Sequence, residues 1–344
     1  MQNNAWTAEH LLDHLQKAVY LELWTIPLYL TAAYSLQVPG TSAQNPPALQ
    51  PVRSPKNPNR SREQVAFNHI YSIAVQEMLH LELAANLFNA LFGAKGHSPR
   101  FTGEWAPRYG RFPPWIGVSA PIELAAVSDA QMSLLATVET PEPGTDAPPN
   151  GPQSVYDSIG QFYKAIEQGI DQLWDQLYDP AADHRQKSEF ADPKYKGDDY
   201  TGFSATIAGD SATARKQADR VIEAIIGQGE GSRGPFIAPD LRPEELDDVE
   251  DRVSHFARFR MVQAMLRFGG PLRTYSTAGS DGLAAAQQQL DTGFTSLLVA
   301  LERGFAGDAE LDLGAMWTLL RQLVAVWAAG GVPAFRYVTS GAAS

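Results

Sequence analysis

The chain has no cysteine among its 344 residues. That excludes disulfides, thiolate zinc sites, iron–sulfur clusters and thiol nucleophiles, so any metal must use His, Asp, Glu, backbone or water. Basic residues are scarce, with 27 Lys and Arg against 39 Asp and Glu, and they form no long run; the formal net charge is −12. This balance argues against nucleic acid and anionic membrane as partners. No stretch holds 18 uninterrupted apolar residues, so no membrane-spanning helix is expected. The opening MQNNAWTAEHLLDHL lacks the basic start and apolar run of a secretory signal, which makes the cytoplasm the expected compartment. Runs of strictly alternating apolar and polar residues are missing too, which leaves helix as the regular structure.

What remains is ample for a core: 44% of residues are hydrophobic and 19% charged. Helical periodicity places a first helix at 7–36, opened by Thr7 and interrupted by Pro27, which should kink it. A loop rich in Pro, Asn and Ser leads to a second long helix at 61–92, and residues 93–120 read as an ordered irregular excursion. Further helices are expected at 121–139, 154–178, 211–228 and 243–267, the last with Pro243 in its first turn. Two more, at 282–305 and 311–329, close an all-α chain, a helical bundle decorated with long loops.

Core positions on a helix follow steps of three and four. In the second helix these pick out Ala66, Ile70, Ile73, Glu77, His80, Ala84, Leu87 and Leu91. In the first they pick out Leu11, Leu15, Ala18, Glu22, Ile26 and Tyr29. Each seam is apolar except at its centre. An antiparallel pair joined by one loop brings Glu22 level with Glu77 and His80. A buried ionised carboxylate costs several kcal/mol without a partner, so something must neutralise it.

Glu-x-x-His sets two side chains about 60° apart on one helix face. Carboxylates with imidazoles and no thiolate suit non-haem iron or manganese, and a Glu opposite Glu-x-x-His is half of a di-iron four-helix pattern. The other use of such a pair is a carboxylate–histidine hydrogen bond that fixes packing. For the second half the sequence offers His255, preceded by Arg252 three residues earlier and Asp251 four earlier. A further carboxylate could come from Glu167, Glu223 or Glu230, and periodicity alone selects Glu167, in a seam with Tyr163, Ile170 and Trp174. His69 lies about 16 Å along its helix from His80, and His14 about 12 Å from Glu22, so neither shares the centre. His97 and His184 fall in loops and are expected to be solvated. Trp24, Tyr29, Tyr71 and Tyr163 fall on bundle helices, where core packing or the lining of a pocket would use them.

The segments LELWTIPLYLTAAYSL (21–36), EMLHLELAANLFNAL (77–91), QGEG (228–231) and SHFARF (254–259) together resemble the ferritin-like family related to iminophenylpyruvate dimer synthase. That family includes the ferritin-like portion of the violacein-pathway enzyme that couples two oxidised-tryptophan imines. The resemblance, strongest over 7–140 and recurring at 211–267, implies a ferritin-like four-helix bundle, expected over 1–267; it does not extend to 282–344, and the helices of 268–344 are expected to pack on the same domain. It implies Glu22, Glu77, His80, Glu230 and His255 as metal ligands, placing Glu230 above Glu167. It also implies a carboxylate where Arg252 stands, and that departure leaves a single metal, an asymmetric pair or a vestigial site. The function expected is a non-haem iron oxidase or oxygenase, of one or two ions, acting with dioxygen on a small aromatic or amino-acid-derived metabolite of secondary metabolism. The loops at 37–60, 93–120 and 179–210 would close its pocket, and a homo-oligomer is compatible with the fold. The alternatives are a non-catalytic ferritin-like protein that binds metal or ligand, and a metal-free helical scaffold.

Overall fold

Long apolar seams, punctuated by Ser and Thr at the right offsets, produce the helices. The computed structural model describes residues 5–49, 60–140, 151–189, 205–229, 253–311 and 314–339. Within these the regular structure is α1 Ala8–Tyr34, α2 Arg62–Phe92, α3 Asp129–Val138, α4 Ile159–Leu177, α5 Ser211–Gly229, α6 His255–Gly269, α7 Leu283–Ala306 and α8 Gly314–Ala328. Two 3-10 turns, 93–95 and 103–105, lie in the irregular excursion. The described residues contain no strand, only two isolated bridges, Leu36 to Thr274 and Ile116 to Tyr156. None of their helices is long and apolar enough to cross a membrane.

Five helices start where a hydroxyl side chain can accept an amide of the first turn: Thr7, Ser61, Ser128, Ser158 and Ser254 all do so. These caps correct three expected boundaries. Residues 121–128 are not helical, and the helix expected at 121–139 begins only after Ser128. The helix expected from 154 begins after Ser158. The helix expected at 243–267 begins at His255, because Ser254 is non-helical and caps it; residues 243–252 lie outside the described residues. Pro27 does not end α1, which runs on to Tyr34, with the Thr31 hydroxyl donating to the Pro27 carbonyl.

α1 and α2 form an antiparallel pair at the centre: Tyr34 packs on Phe67 and Tyr71, Thr25 reaches Glu77, and Glu22 reaches His80. From His14 onward every residue of α1 but Lys17 is buried, as befits a helix covered on all sides. α4 covers α1 through Tyr163, and α4 meets α5 where the Trp174 indole donates to Ser211. α6 lies on α2, with the buried Arg258 donating to Ser72 Oγ, and on α3, with Gln263 donating to the Asp129 carbonyl. α8 packs on α1 through the fully buried Trp327, whose indole donates to the Thr31 carbonyl. The middles of α1 and α2 thereby face the ends of α3 and α5 and the start of α6.

Candidate metal centre

Mid-helix positions on α1 and α2 bring Glu22, Glu77 and His80 together, all at most 3% exposed. His80 Nδ1 stands 3.6 Å from Glu22 Oε2 and 3.6 Å from Glu77 Oε1. The first residue of α6, His255, completes a second group: its Nδ1 is 2.8 Å from Glu77 Oε1 and 3.7 Å from Glu139 Oε2. Both groups offer three ligand atoms lying within 4.8 Å of one another, and Glu77 belongs to both. The two imidazoles lie side by side, ring centroids 5.5 Å apart and planes 28° from parallel.

Each carboxylate is divided in the same way. One oxygen of Glu22 faces His80 while the other accepts from the Tyr163 hydroxyl. Glu77 Oε1 faces both imidazoles while Oε2 accepts from Thr25 Oγ1 at 2.8 Å. Glu139 Oε2 faces His255 while Oε1 accepts from the Tyr29 hydroxyl. The imidazoles are divided too. His80 Nε2 lies 2.6 Å from Gln228 Oε1, and His255 Nε2 lies 3.1 Å from Gln76 Oε1. An amide oxygen can only accept, so both Nε2 atoms donate and both Nδ1 atoms turn toward the carboxylates. His255 Nδ1 is buried and makes no hydrogen bond of acceptable direction. An orphaned imidazole nitrogen among carboxylate oxygens, with its opposite nitrogen tied down, is what a metal ligand requires. The donors are hard and borderline, nitrogen and oxygen only, and fit iron or manganese.

The electrostatics of the protein without metal follow from this packing. Burial pushes the Glu77 carboxyl up, but the imidazoles of His80 and His255 outweigh it and hold Glu77 well below the usual carboxylate range. Burial opposes a charge on His80, yet Glu77 and Glu22 raise it to about 10. His255 is raised by Glu139 and Glu77, again against burial. Glu22 goes the other way, to about 7, because burial and the neighbouring Glu77 charge outweigh its contacts with His80 and Tyr163. Tyr29 and Tyr163 are raised well above their ordinary value by burial and the adjoining carboxylates, which keeps both hydroxyls as donors.

The structure thus gathers Glu22, Glu77, His80 and His255, and it adds Glu139, which the sequence reading overlooked. Glu139 continues a seam of three- and four-residue steps through Met132, Leu135 and Ala136, so a signal existed. Glu167 is not at the site: it is half-buried beside Asp171, Asp219 and Arg215, and α4 presents Tyr163 instead. Glu223 is exposed. Glu230, Asp251 and Arg252 lie outside the described residues. Gly229, before Glu230, does permit a close approach, since a methyl group there would stand 3.1 Å from Glu139 Oε2. His14 and His69 are buried elsewhere, His14 between the His10 carbonyl and the Tyr156 hydroxyl. His97 is exposed as expected, but His184 is buried and stacked on Tyr178.

A cavity of about 20 Å³ adjoins the cluster, walled by Leu21, Val138, Ile159, Ile225 and Ile226 with Glu22, Glu77, His80 and Glu139 at its polar side. It has room for about one water-sized molecule. No described residue of 37–60, 93–120 or 179–210 lines it; residues 50–59 and 190–204 of those loops lie outside the described residues. The walls come from helices and helix ends.

A helical bundle that carries carboxylates and imidazoles inward from facing helices is of the ferritin-like class. The chain belongs to the ferritin-like family, whose model matches residues 15–264. It is also similar to the crystal structure of a ferritin-like protein from Caulobacter vibrioides, at 26% identity and a TM-score of 0.69, over 96% of this chain and 99% of that one. No curated protein matches it.

Proposed function

We propose that the group Glu22, Glu77 and His80 and the group Glu77, Glu139 and His255 would hold a pair of iron ions, and that the protein is a non-haem iron oxidase or oxygenase. The observation that carries this reading is the double use of Glu77: one carboxylate oxygen serves two imidazoles, each oriented by a glutamine on its far nitrogen. Iron held there would supply redox chemistry with dioxygen. The chain's own contribution is orientation and exclusion of water. Thr25, Tyr29 and Tyr163 hold one oxygen of each carboxylate, and Gln76 and Gln228 hold the rings. The aliphatic wall around the small cavity leaves room beside the ligands for about one water-sized molecule. The substrate class, a small aromatic or amino-acid-derived metabolite, rests on the resemblance to the iminophenylpyruvate dimer synthase relatives.

The size of that cavity also favours a second reading, a protein that holds metal without turning over an organic substrate. Metal counted per chain after anaerobic ferrous loading tests the site itself. Wild type should bind two ions, Glu139→Gln one held by the first group, and Glu77→Gln none tightly. Equal counts in all three proteins would overturn the assignment. Dioxygen uptake by the loaded protein, with and without aromatic imino- and keto-acids, separates the oxidase from the non-catalytic reading.

A further inference from the structure

Tyr20 and Trp24 lie two residues on either side of Glu22, which turns them to the opposite face of α1. The loop after the second 3-10 turn is strapped to that face. Trp24 Nε1 donates to the Arg108 carbonyl at 2.9 Å, Tyr109 donates to the Trp24 carbonyl at 2.9 Å, and the Arg108 amide donates to the Tyr20 hydroxyl at 3.3 Å. Between loop and helix lies a cleft of about 470 Å³, within the range of small-molecule sites. Its aromatic lining is Tyr20, Phe112 and Trp115, which are buried, with Trp105 and Tyr109 half-buried. Both indoles meet the Tyr20 ring edge-to-face, at centroid separations of 6.3 Å and 5.3 Å.

Packing accounts for the rings but leaves two features unexplained. The indole nitrogen of Trp115 is buried with no acceptor, and Trp115 itself is only 9% exposed. An unsatisfied buried donor costs about 1–3 kcal/mol, which a bound acceptor would recover. Arg108 and Arg111 line the same cleft, both exposed. Neither forms an ion pair among the described residues, in a chain whose net charge is −12. Both guanidinium charges act at the Tyr20 hydroxyl, where they pull against the upward push of burial. The acid that lines the cleft, Glu104, pairs with Arg100 at 3.4 Å.

We propose that this cleft binds a small planar aromatic carboxylate: the ring system lies among the five aromatic side chains and the carboxylate meets Arg108 and Arg111. The Trp115 indole supplies a further donor to the bound anion. The site is distinct from the metal centre, because α1 stands between the two, so the ligand is held there and not oxidised there.

Isothermal titration of the full-length protein with 2-naphthoate and with its uncharged analogue 2-naphthamide tests this. Naphthoate should bind once per chain, and naphthamide about tenfold or more weaker, the worth of a hydrogen-bonded charge. The double variant R108A/R111A should weaken naphthoate about tenfold or more and leave naphthamide unchanged. Trp115→Phe, which keeps a ring and removes the N–H, should weaken naphthoate about fivefold or more. Metal content and thermal midpoint should stay at wild-type values in the arginine variant, so the result does not depend on the metal assignment. Absence of saturable binding, equal binding of the two probes, or undiminished binding in R108A/R111A would overturn the proposal.

Discussion

Glu77 and Glu22 lie in one cluster, yet their removal should move the stability of the metal-free protein in opposite directions. Glu77 faces two imidazoles, at 2.8 Å and 3.6 Å, and its carboxyl is held well below the usual range despite burial. Glu77→Gln leaves His80, raised to about 10, and His255 buried without their shared counter-ion. Removing one partner of a buried pair costs about 3–5 kcal/mol. Glu22 is raised by burial from its ordinary 4.5 to about 7, so its ionised form opposes folding. At about 1.4 kcal/mol per pH unit, that opposition has an upper bound of about 3 kcal/mol above pH 7. Glu22→Gln keeps an oxygen for Tyr163 and removes the opposition. The pH windows follow. The folded pKa of Glu22 lies above its unfolded value, so its favourable term is complete below 4.5 and is lost as pH rises through about 7. That of Glu77 lies below, so its term is present above the ordinary 4.5 and is lost as pH falls. Urea unfolding of chelator-treated protein at pH 5 and pH 8 reads both. Glu77→Gln should be destabilised at both pH values, and Glu22→Gln should gain on wild type between them. A shift of both variants in the same direction by similar amounts at pH 8 would refute the charge assignment.

Gln228→Leu and Gln76→Leu should each weaken metal binding about 10- to 100-fold by freeing one imidazole, measured by competition with a chromophoric chelator. Gly229→Ala puts a methyl group 3.1 Å from Glu139 Oε2, so the second ion should weaken while the first is unchanged. A two-step chelator titration distinguishes them, and a uniform loss of both ions would contradict the placement of Glu139.

Glu22, Glu77 and His80 were legible in the sequence because long seams of three- and four-residue steps make one charged position conspicuous. Glu167 misled because the same steps admit two routes from Tyr163 to Ile170. The buried face of α4 takes Ile166, and Glu167 falls on its border. Glu139 is inconspicuous because its helix has only ten residues and Glu139 is its C-cap, at the last position of the helix expected over 121–139. The helices expected from 121 and 154 start only after Ser128 and Ser158, and α6 starts after Ser254 although Pro243 suits an earlier first turn, because the serine caps set these starts. Tyr29 and Tyr163 stand out in the sequence only as seam aromatics, and Thr25, Gln76 and Gln228 carry no signal of their own, because packing alone sets which ligand each one meets.

The missing carboxylate at Arg252 takes a different meaning once α6 is seen to begin at His255. Among the described residues the helix starts with His255 behind its cap Ser254, and the second group is built from helix ends, His255 with Glu139. The N-terminus of α6 adds partial positive charge beside Glu77, in the same sense as the imidazoles that hold its carboxyl low. Two divalent ions would bring four positive charges to three carboxylates, and burial penalises the surplus. A pair therefore needs one more anion, from the chain or from solvent. Glu230, which follows Gly229 of the cavity wall, is the residue of this chain expected to supply it. Glu230→Gln should then lower the affinity for the second ion and leave the first unchanged. If both ions bind with wild-type affinity in that variant, the balancing anion is a solvent hydroxide, and Glu230 is no ligand.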